Sequence, residues 1–220
     1  MEYKAVIFDL DGTLVNSLND LADSVNVVLK EYGYPAHPVD KYRIMVGNGI
    51  GKLIERALPA NVSEKIREEV LARFKTVYES HQLDKTAPYE GIINMLEDLK
   101  KKNIPLAVCT NKHDEAAKKI IATLFARNTF QEIIGDLPGF KRKPDPQKVF
   151  IIAENMALKP QEIVYIGDSS VDMQTAVNAG MLPVGVLWGF RAKEELVANG
   201  AALLLEHPSD LFRKVIFVEK

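Results

Sequence analysis

Cysteine is almost missing from this chain: Cys109 stands alone among 220 residues, so no internal disulfide can form. A single thiol fits a reducing compartment without requiring one. Its place beside the apolar run Leu106-Ala107-Val108 predicts a buried, inert side chain and not a nucleophile. An excess of one charge is missing too. Lys and Arg number 28 against 30 Asp and Glu, and a net charge of -2 gives no field to recruit nucleic acid or an acidic membrane surface. No window approaches the ~20 apolar residues of a membrane span, and the run after Met1-Glu2-Tyr3-Lys4 is too short for a signal-peptide core. The four histidines, His37, His81, His113 and His207, have no metal-ligand spacing, so surface or packing roles are expected of them. Internal repeats and low-complexity tracts are absent. These gaps predict a soluble cytoplasmic globular protein with no nucleic-acid or membrane partner.

What the chain does have begins with two carboxylates, Asp9 and Asp11, at the end of the apolar run Ala5-Val6-Ile7-Phe8 and before Gly12-Thr13. The run reads as a buried strand and the Gly-Thr as its closing turn. Residues i and i+2 of a strand share a face, so both acids emerge together at one sheet edge. In an open α/β sheet that edge is where ligands bind. Paired acids there suit a divalent cation and a phosphate, although Asp-x-Asp-Gly is also an ordinary turn.

Two textures follow. From Val15 to about Thr86 the periodicity is helical, with no convincing strand. Leu18, Leu21, Ala22, Val25, Val28 and Leu29 share one helical face that Gly33 ends. Ile66, Val70, Phe74 and Val77 mark a longer helix, with shorter helical pieces at Val39 to Met45 and Ile50 to Leu58. After the linker Pro88-Tyr89-Glu90-Gly91, strands alternate with helices. Strands are expected at Leu106 to Thr110, Glu132 to Ile134, Ile163 to Gly167, Pro183 to Leu187 and Ala202 to Leu204. Helices are expected around them, the last over Ser209 to Ile216. Apolar strands separated by amphipathic helices predict a Rossmann-like parallel sheet with helices on both faces. The fold class is α/β, with a helical bundle inserted after strand one. Residues 1–14 and 88–220 form the core domain, and residues 15–87 the insertion.

Parallel strands bring their carboxyl ends to one edge, so three further segments are candidates for the same site. Thr110-Asn111 offers a hydroxyl and backbone N–H groups for a phosphate oxygen, or an ordinary helix cap. Lys143, fixed by Pro144 in Lys141-Arg142-Lys143-Pro144, can stabilise charge developing on a phosphoryl group, or belong to a solvated turn. Asp168, after Ile166-Gly167, can join Asp9 in holding Mg2+, whose usual shell is one or two carboxylates, waters and phosphate at ~2.1 Å. Asp172 caps the next helix or orients Lys143, with Ser169 beside it. Gly47-Asn48-Gly49-Ile50-Gly51-Lys52 fits neither a dinucleotide fingerprint nor a P-loop, and reads better as a loop over the site.

Phe8-Asp9-Leu10-Asp11-Gly12-Thr13, Thr110-Asn111, Lys143-Pro144 and Gly167-Asp168-Ser169-Ser170-Val171-Asp172 resemble, in order, the four motifs of the haloacid dehalogenase superfamily. The second acid, Asp11, resembles its phosphatase branch, and the insertion is similar to the family's C1 helical cap. Leu14-Val15-Asn16-Ser17, Val46-Gly47-Asn48-Gly49, Thr110-Asn111-Lys112 and Val186-Leu187-Trp188-Gly189-Phe190 look like the phosphoglycolate phosphatases and their close relatives. Asn16 departs from the Asp often found there. The resemblance implies that Asp9 is the nucleophile and Asp11 the general acid and base. It implies Mg2+ on Asp9, the Asp11 carbonyl and Asp168, with Gly12, Thr110, Asn111 and Lys143 around the phosphoryl group. Gly47, Asn48, Gly49 and Arg56 are expected to read the rest of a small phosphorylated metabolite, 2-phosphoglycolate first among them. Pyrophosphatase and sugar phosphatase remain alternatives, as do a β-phosphoglucomutase-like isomerase and a non-catalytic phosphate-binding module. A monomer or weak homodimer is expected.

Overall fold

The computed structural model describes residues 2–218. Its main sheet contains β1 (Ala5–Phe8), β2 (Leu106–His113), β3 (Glu132–Asp136), β4 (Ile163–Gly167), β5 (Leu182–Val186) and β6 (Leu203–Leu205). All are parallel, in the order β3-β2-β1-β4-β5-β6. This is the doubly wound order, in which the direction of strand addition reverses beside β1. The crevice at that reversal is the usual ligand site. Burial on both faces explains why β1 reads as an unbroken apolar run: Val6 and Phe8 pack into one core cluster, Ala5 and Ile7 into the other.

Four helices are inserted between β1 and β2: α1 (Leu18–Glu31), α2 (Val39–Met45), α3 (Ile50–Ala57) and α4 (Glu64–His81). The face of α1 read from the sequence is its buried face. Gly33, at φ 75°, closes it with a Schellman pair, Gly33 N–H to the Lys30 carbonyl and Tyr34 N–H to that of Leu29. The insertion has its own apolar cluster, which Phe190 of the α/β part joins.

The remaining helices are α5 (Ile92–Lys101), α6 (Asp114–Leu124), α7 (Gln147–Asn155), α8 (Ser170–Ala179), α9 (Lys193–Ala198) and α10 (Leu211–Lys214). Three sequence expectations need correction. Val15–Asn16 and Ala87–Pro88 pair antiparallel at the neck of the insertion, where sequence showed helix and linker alone. Two residues are too few to show a period of two. At the far end, Ile216–Phe217 is not helical but pairs with Glu2–Tyr3, so the last helix stops at Lys214. Finally, β2 runs on to His113 and α6 starts at Asp114, so Thr110 lies within a strand and caps no helix.

The neck is fastened by Asp20. Its carboxylate accepts bonds from the Lys85 and Thr86 N–H groups and from the Thr86 hydroxyl at 2.7–3.0 Å, while 2% exposed. Among the described residues no helix is long and apolar enough to cross a membrane.

Candidate active site

Asp9 follows β1 directly, and the edge of the sheet gathers Thr110, Asp168 and Lys143 around it. Lys143 Nζ donates to Asp9 Oδ1 at 2.8 Å, to Asp172 Oδ1 at 2.7 Å and to the Tyr165 hydroxyl at 3.0 Å. Burial works against its ammonium, but Asp172 and Asp9 outweigh burial and hold the pKa well above the ordinary lysine value. Asp172 does both things expected of it. Its Oδ1 holds Lys143, and its Oδ2 accepts from the Ser169 N–H and hydroxyl in a capping box that starts α8.

Asn111 fixes the same lysine through the backbone. Its side-chain oxygen accepts from the Lys143 N–H at 2.9 Å, and its nitrogen donates to the Lys143 and Gly47 carbonyls. The Asn111 side chain is therefore a clasp between three segments. The Thr110 hydroxyl oxygen accepts from the Lys112 N–H at 3.1 Å and keeps its own proton to donate.

Asp9, Asp168 and Asp172 bring carboxylate oxygens within 4.8 Å of one another, all buried. Burial, then the charge of Asp172, pushes Asp9 up to about 6 against the pull of Lys143. Burial, then Asp172 and Asp9, raises Asp168 well above the carboxylate range. Such crowded buried oxygens are a donor set for a hard divalent cation. Asp172 is already engaged with Lys143 and Ser169, so Asp9 and Asp168 are the side chains that fit one. Asp168 also accepts from the Phe190 N–H at 2.7 Å.

Gly12 has a different place from the one expected. Its N–H donates to the Val15 carbonyl, so it is not aimed at a ligand. At φ +87° its missing side chain is what admits Asp168, whose Oδ2 would lie 2.1 Å from a Cβ. The glycine here therefore serves a steric need and not the phosphoryl contact expected of it.

Asp11 shares the edge with Asp9. Its Oδ1 accepts from the Ser17 hydroxyl, and Lys112 Nζ reaches both carboxylate oxygens at 3.1 and 3.3 Å. Lys112 also donates to the Tyr78 hydroxyl of α4 at 2.6 Å and sits 4.7 Å from that ring's centre. Burial opposes its charge, yet Asp11 and Tyr78 raise its pKa above the ordinary value. Sequence reasoning assigned Lys112 no role. The alternation that pairs Asp9 with Asp11 also sets Lys112 beside Thr110, but only in a strand running beyond Thr110.

A cavity of about 50 Å³ is lined by Asp9, Asp11, Thr110, Asn111 and Lys112 from the core and by Leu21, Val46, Gly47, Gly49, Ile50 and Leu53 from the insertion. Gly47 and Gly49 thus line the same cavity as the acids. Asn48 and Arg56 do not line the cavity. They bond to each other at 2.9 Å, and Arg56 braces the Met45 carbonyl at 2.8 Å. Lys52 pairs with Glu55 at the surface. Cys109 is buried, and burial raises its thiol pKa, which fits an inert side chain. His37 Nε2 meets the Ala57 carbonyl and His81 meets Asp84, both away from the acids.

Comparison with known proteins identifies the family. The family model of haloacid dehalogenase-like hydrolases matches residues 6–186. A phosphoglycolate phosphatase of Pseudomonas putida is 34% identical over 209 residues, covering 92% of this chain and 76% of that protein. One of Aquifex aeolicus is 32% identical, covering 96% and 95%. A crystal structure from Lactobacillus delbrueckii subsp. bulgaricus superposes with a TM-score of 0.92 at 29% identity, covering 98% of this chain and 99% of that one.

Proposed function

This chain belongs to the haloacid dehalogenase-like hydrolases and is a phosphatase; we propose that it hydrolyses a small phosphomonoester through an aspartyl-phosphate on Asp9, with Mg2+ as cofactor and 2-phosphoglycolate as substrate. The observation that carries this reading is the Lys143–Asp9 bond within a closed set of buried partners. A carboxylate nucleophile divides one hard displacement into two easier ones. Asp9 attacks phosphorus, and Asp11, two residues on and lining the same cavity, gives a proton to the leaving oxygen. In the second step Asp11 takes the proton of the attacking water, and the acyl phosphate breaks to release phosphate and restore Asp9.

Lys143 supplies a fixed positive charge beside the nucleophile, and the Thr110 hydroxyl a donor to a phosphoryl oxygen. Asp9 and Asp168, with the Asp11 carbonyl that the family resemblance adds, would hold Mg2+. When bound, that ion supplies Lewis-acid neutralisation of phosphoryl charge. The insertion closes over the cavity through Gly47 and Gly49 and keeps bulk water from the acyl phosphate.

The choice of 2-phosphoglycolate is supported by the names of the relatives. Phosphate release from 2-phosphoglycolate, pyrophosphate, nucleotides and sugar phosphates, with Mg2+ and with chelator, tests it. The expected result is metal-dependent release with the highest kcat/KM on 2-phosphoglycolate. A dominant preference for pyrophosphate overturns the substrate, and a sugar phosphate isomerised without release of free phosphate overturns hydrolysis.

A further inference from the structure

The cavity has two kinds of wall. Polar core groups surround the phosphoryl end, while Leu21, Val46, Ile50 and Leu53 form much of the other side. None of these four side chains can hydrogen-bond, so they offer nothing to recognise the hydroxyls of a sugar. Lys112 of the core and Ile50 of the insertion both also border a neighbouring cleft of about 260 Å³ between α4 and α6. The two buried lysines of the site are held differently. Lys143 has three side-chain partners, all within the α/β part. Lys112 has Asp11 from the core and Tyr78 from the insertion.

We propose that Lys112 is a specificity-determining residue of this phosphatase, binding a carboxylate at the far end of a short leaving group. The inference rests on the reading of Asp11 as the group that meets the leaving oxygen. An oxygen in contact with the Asp11 carboxylate has its next two or three atoms within reach of an ammonium 3.1 Å from that carboxylate. The leaving group of the proposed substrate is short, so its far end lies two or three atoms from the oxygen that Asp11 meets. Its far end meets apolar walls and one buried cation. An anionic end gains a charge-assisted bond there. A neutral end of the same shape gives up that bond while still disturbing the bonds of the ammonium to Asp11 and Tyr78.

The test compares 2-phosphoglycolate with its neutral carboxamide, on the wild-type protein and on Lys112→Met, both with Mg2+. The expected wild-type preference for the acid is about a hundredfold in kcat/KM, as for a buried charge pair losing one partner. In Lys112→Met that ratio falls towards one. Loss of activity on both compounds by the same factor, with the ratio kept, overturns the proposal and leaves Lys112 as a support for Asp11. The wild-type ratio needs no variant: equal rates on both compounds overturn the inference while phosphomonoester hydrolysis stands. Hydrolysis of neither compound, or of any other monoester, removes the functional reading and the inference together.

Discussion

At the Asp9 end of the pocket, Lys143, Asp172, Ser169 and Tyr165 bind one another inside the α/β core. At the Lys112 end, the walls are apolar side chains of the inserted helices, and the bonds that cross between the two parts are few. Asn111 reaches the Gly47 carbonyl, Arg191 the Val46 carbonyl at 2.7 Å, Arg43 the Gly189 carbonyl at 3.1 Å, and Lys112 the Tyr78 hydroxyl. One end is over-determined and the other is held by a handful of contacts. Charge transfer to phosphorus needs fixed groups that do not reorganise, whereas admitting and releasing a leaving group needs an edge that opens. Phe190 ties the two ends: its N–H holds Asp168 while its ring packs in the cluster of the insertion.

The largest way to break this contrast is at the rigid end. Lys143→Met leaves Asp9 and Asp172 facing one another without their shared cation, and kcat is expected to fall by about a thousandfold or more, the order seen when a preorganised charge is removed. Steady-state kinetics at saturating substrate measures it, and a loss confined to KM would contradict it. Next comes the neck. Asp20→Ala strips the Lys85 and Thr86 N–H groups of their acceptor in a buried place, and an expected cost of about 2–4 kcal/mol is read by urea unfolding.

A smaller effect is expected at the seam. Arg191→Ala removes the bond to Val46 and its pairing with Glu195, leaving the chemical groups in place. KM should rise several-fold with a lesser change in kcat, because one part-buried hydrogen bond contributes about 1 kcal/mol. A kcat loss as large as that of Lys143→Met would erase the distinction between the two ends.

The smallest effect lies far from both ends. Asp210 accepts from the His207 and Glu206 N–H groups and pairs with Arg213, which lowers its pKa to about 2. A carboxylate lowered in the folded state adds stability that is fully present above its ordinary value near 3.9 and is lost as pH falls through about 2. Wild type should therefore lose stability over that window relative to Asp210→Asn, as followed by thermal unfolding. Activity at neutral pH should not separate them.

The rigid end was also the legible end. Asp9, Thr110 and Asp168 each close an apolar run and Lys143 lies in the loop between β3 and α7, and parallel strands bring such positions to one edge whatever their distance along the chain. The period of two predicts Asp11 beside Asp9, and Asp11 does line the same cavity, although β1 ends at Phe8 and both acids lie past it. Pairings between elements have no local period, so Lys112 with Tyr78 across the seam and the bracing of Met45 by Arg56 within the insertion could not be read. Arg56 looked like a ligand group because an exposed arginine near a glycine loop carries no mark of which carbonyl it will meet. Gly12 looked like part of a phosphate cradle because the sequence does not reveal that Asp168 will pass where its Cβ would be. The two-residue ladders at the neck and at Glu2–Tyr3 escaped for want of length.

Rapid quenching of a turning-over mixture of the Mg2+-loaded protein and 2-phosphoglycolate, followed by peptide mass analysis, tests the central claim most directly. One phosphoryl group should be found on the peptide containing Asp9 in the wild type and on no peptide of Asp9→Asn, which should fold but release no phosphate. A phosphoryl group on another residue, or wild-type turnover by Asp9→Asn, would contradict the account.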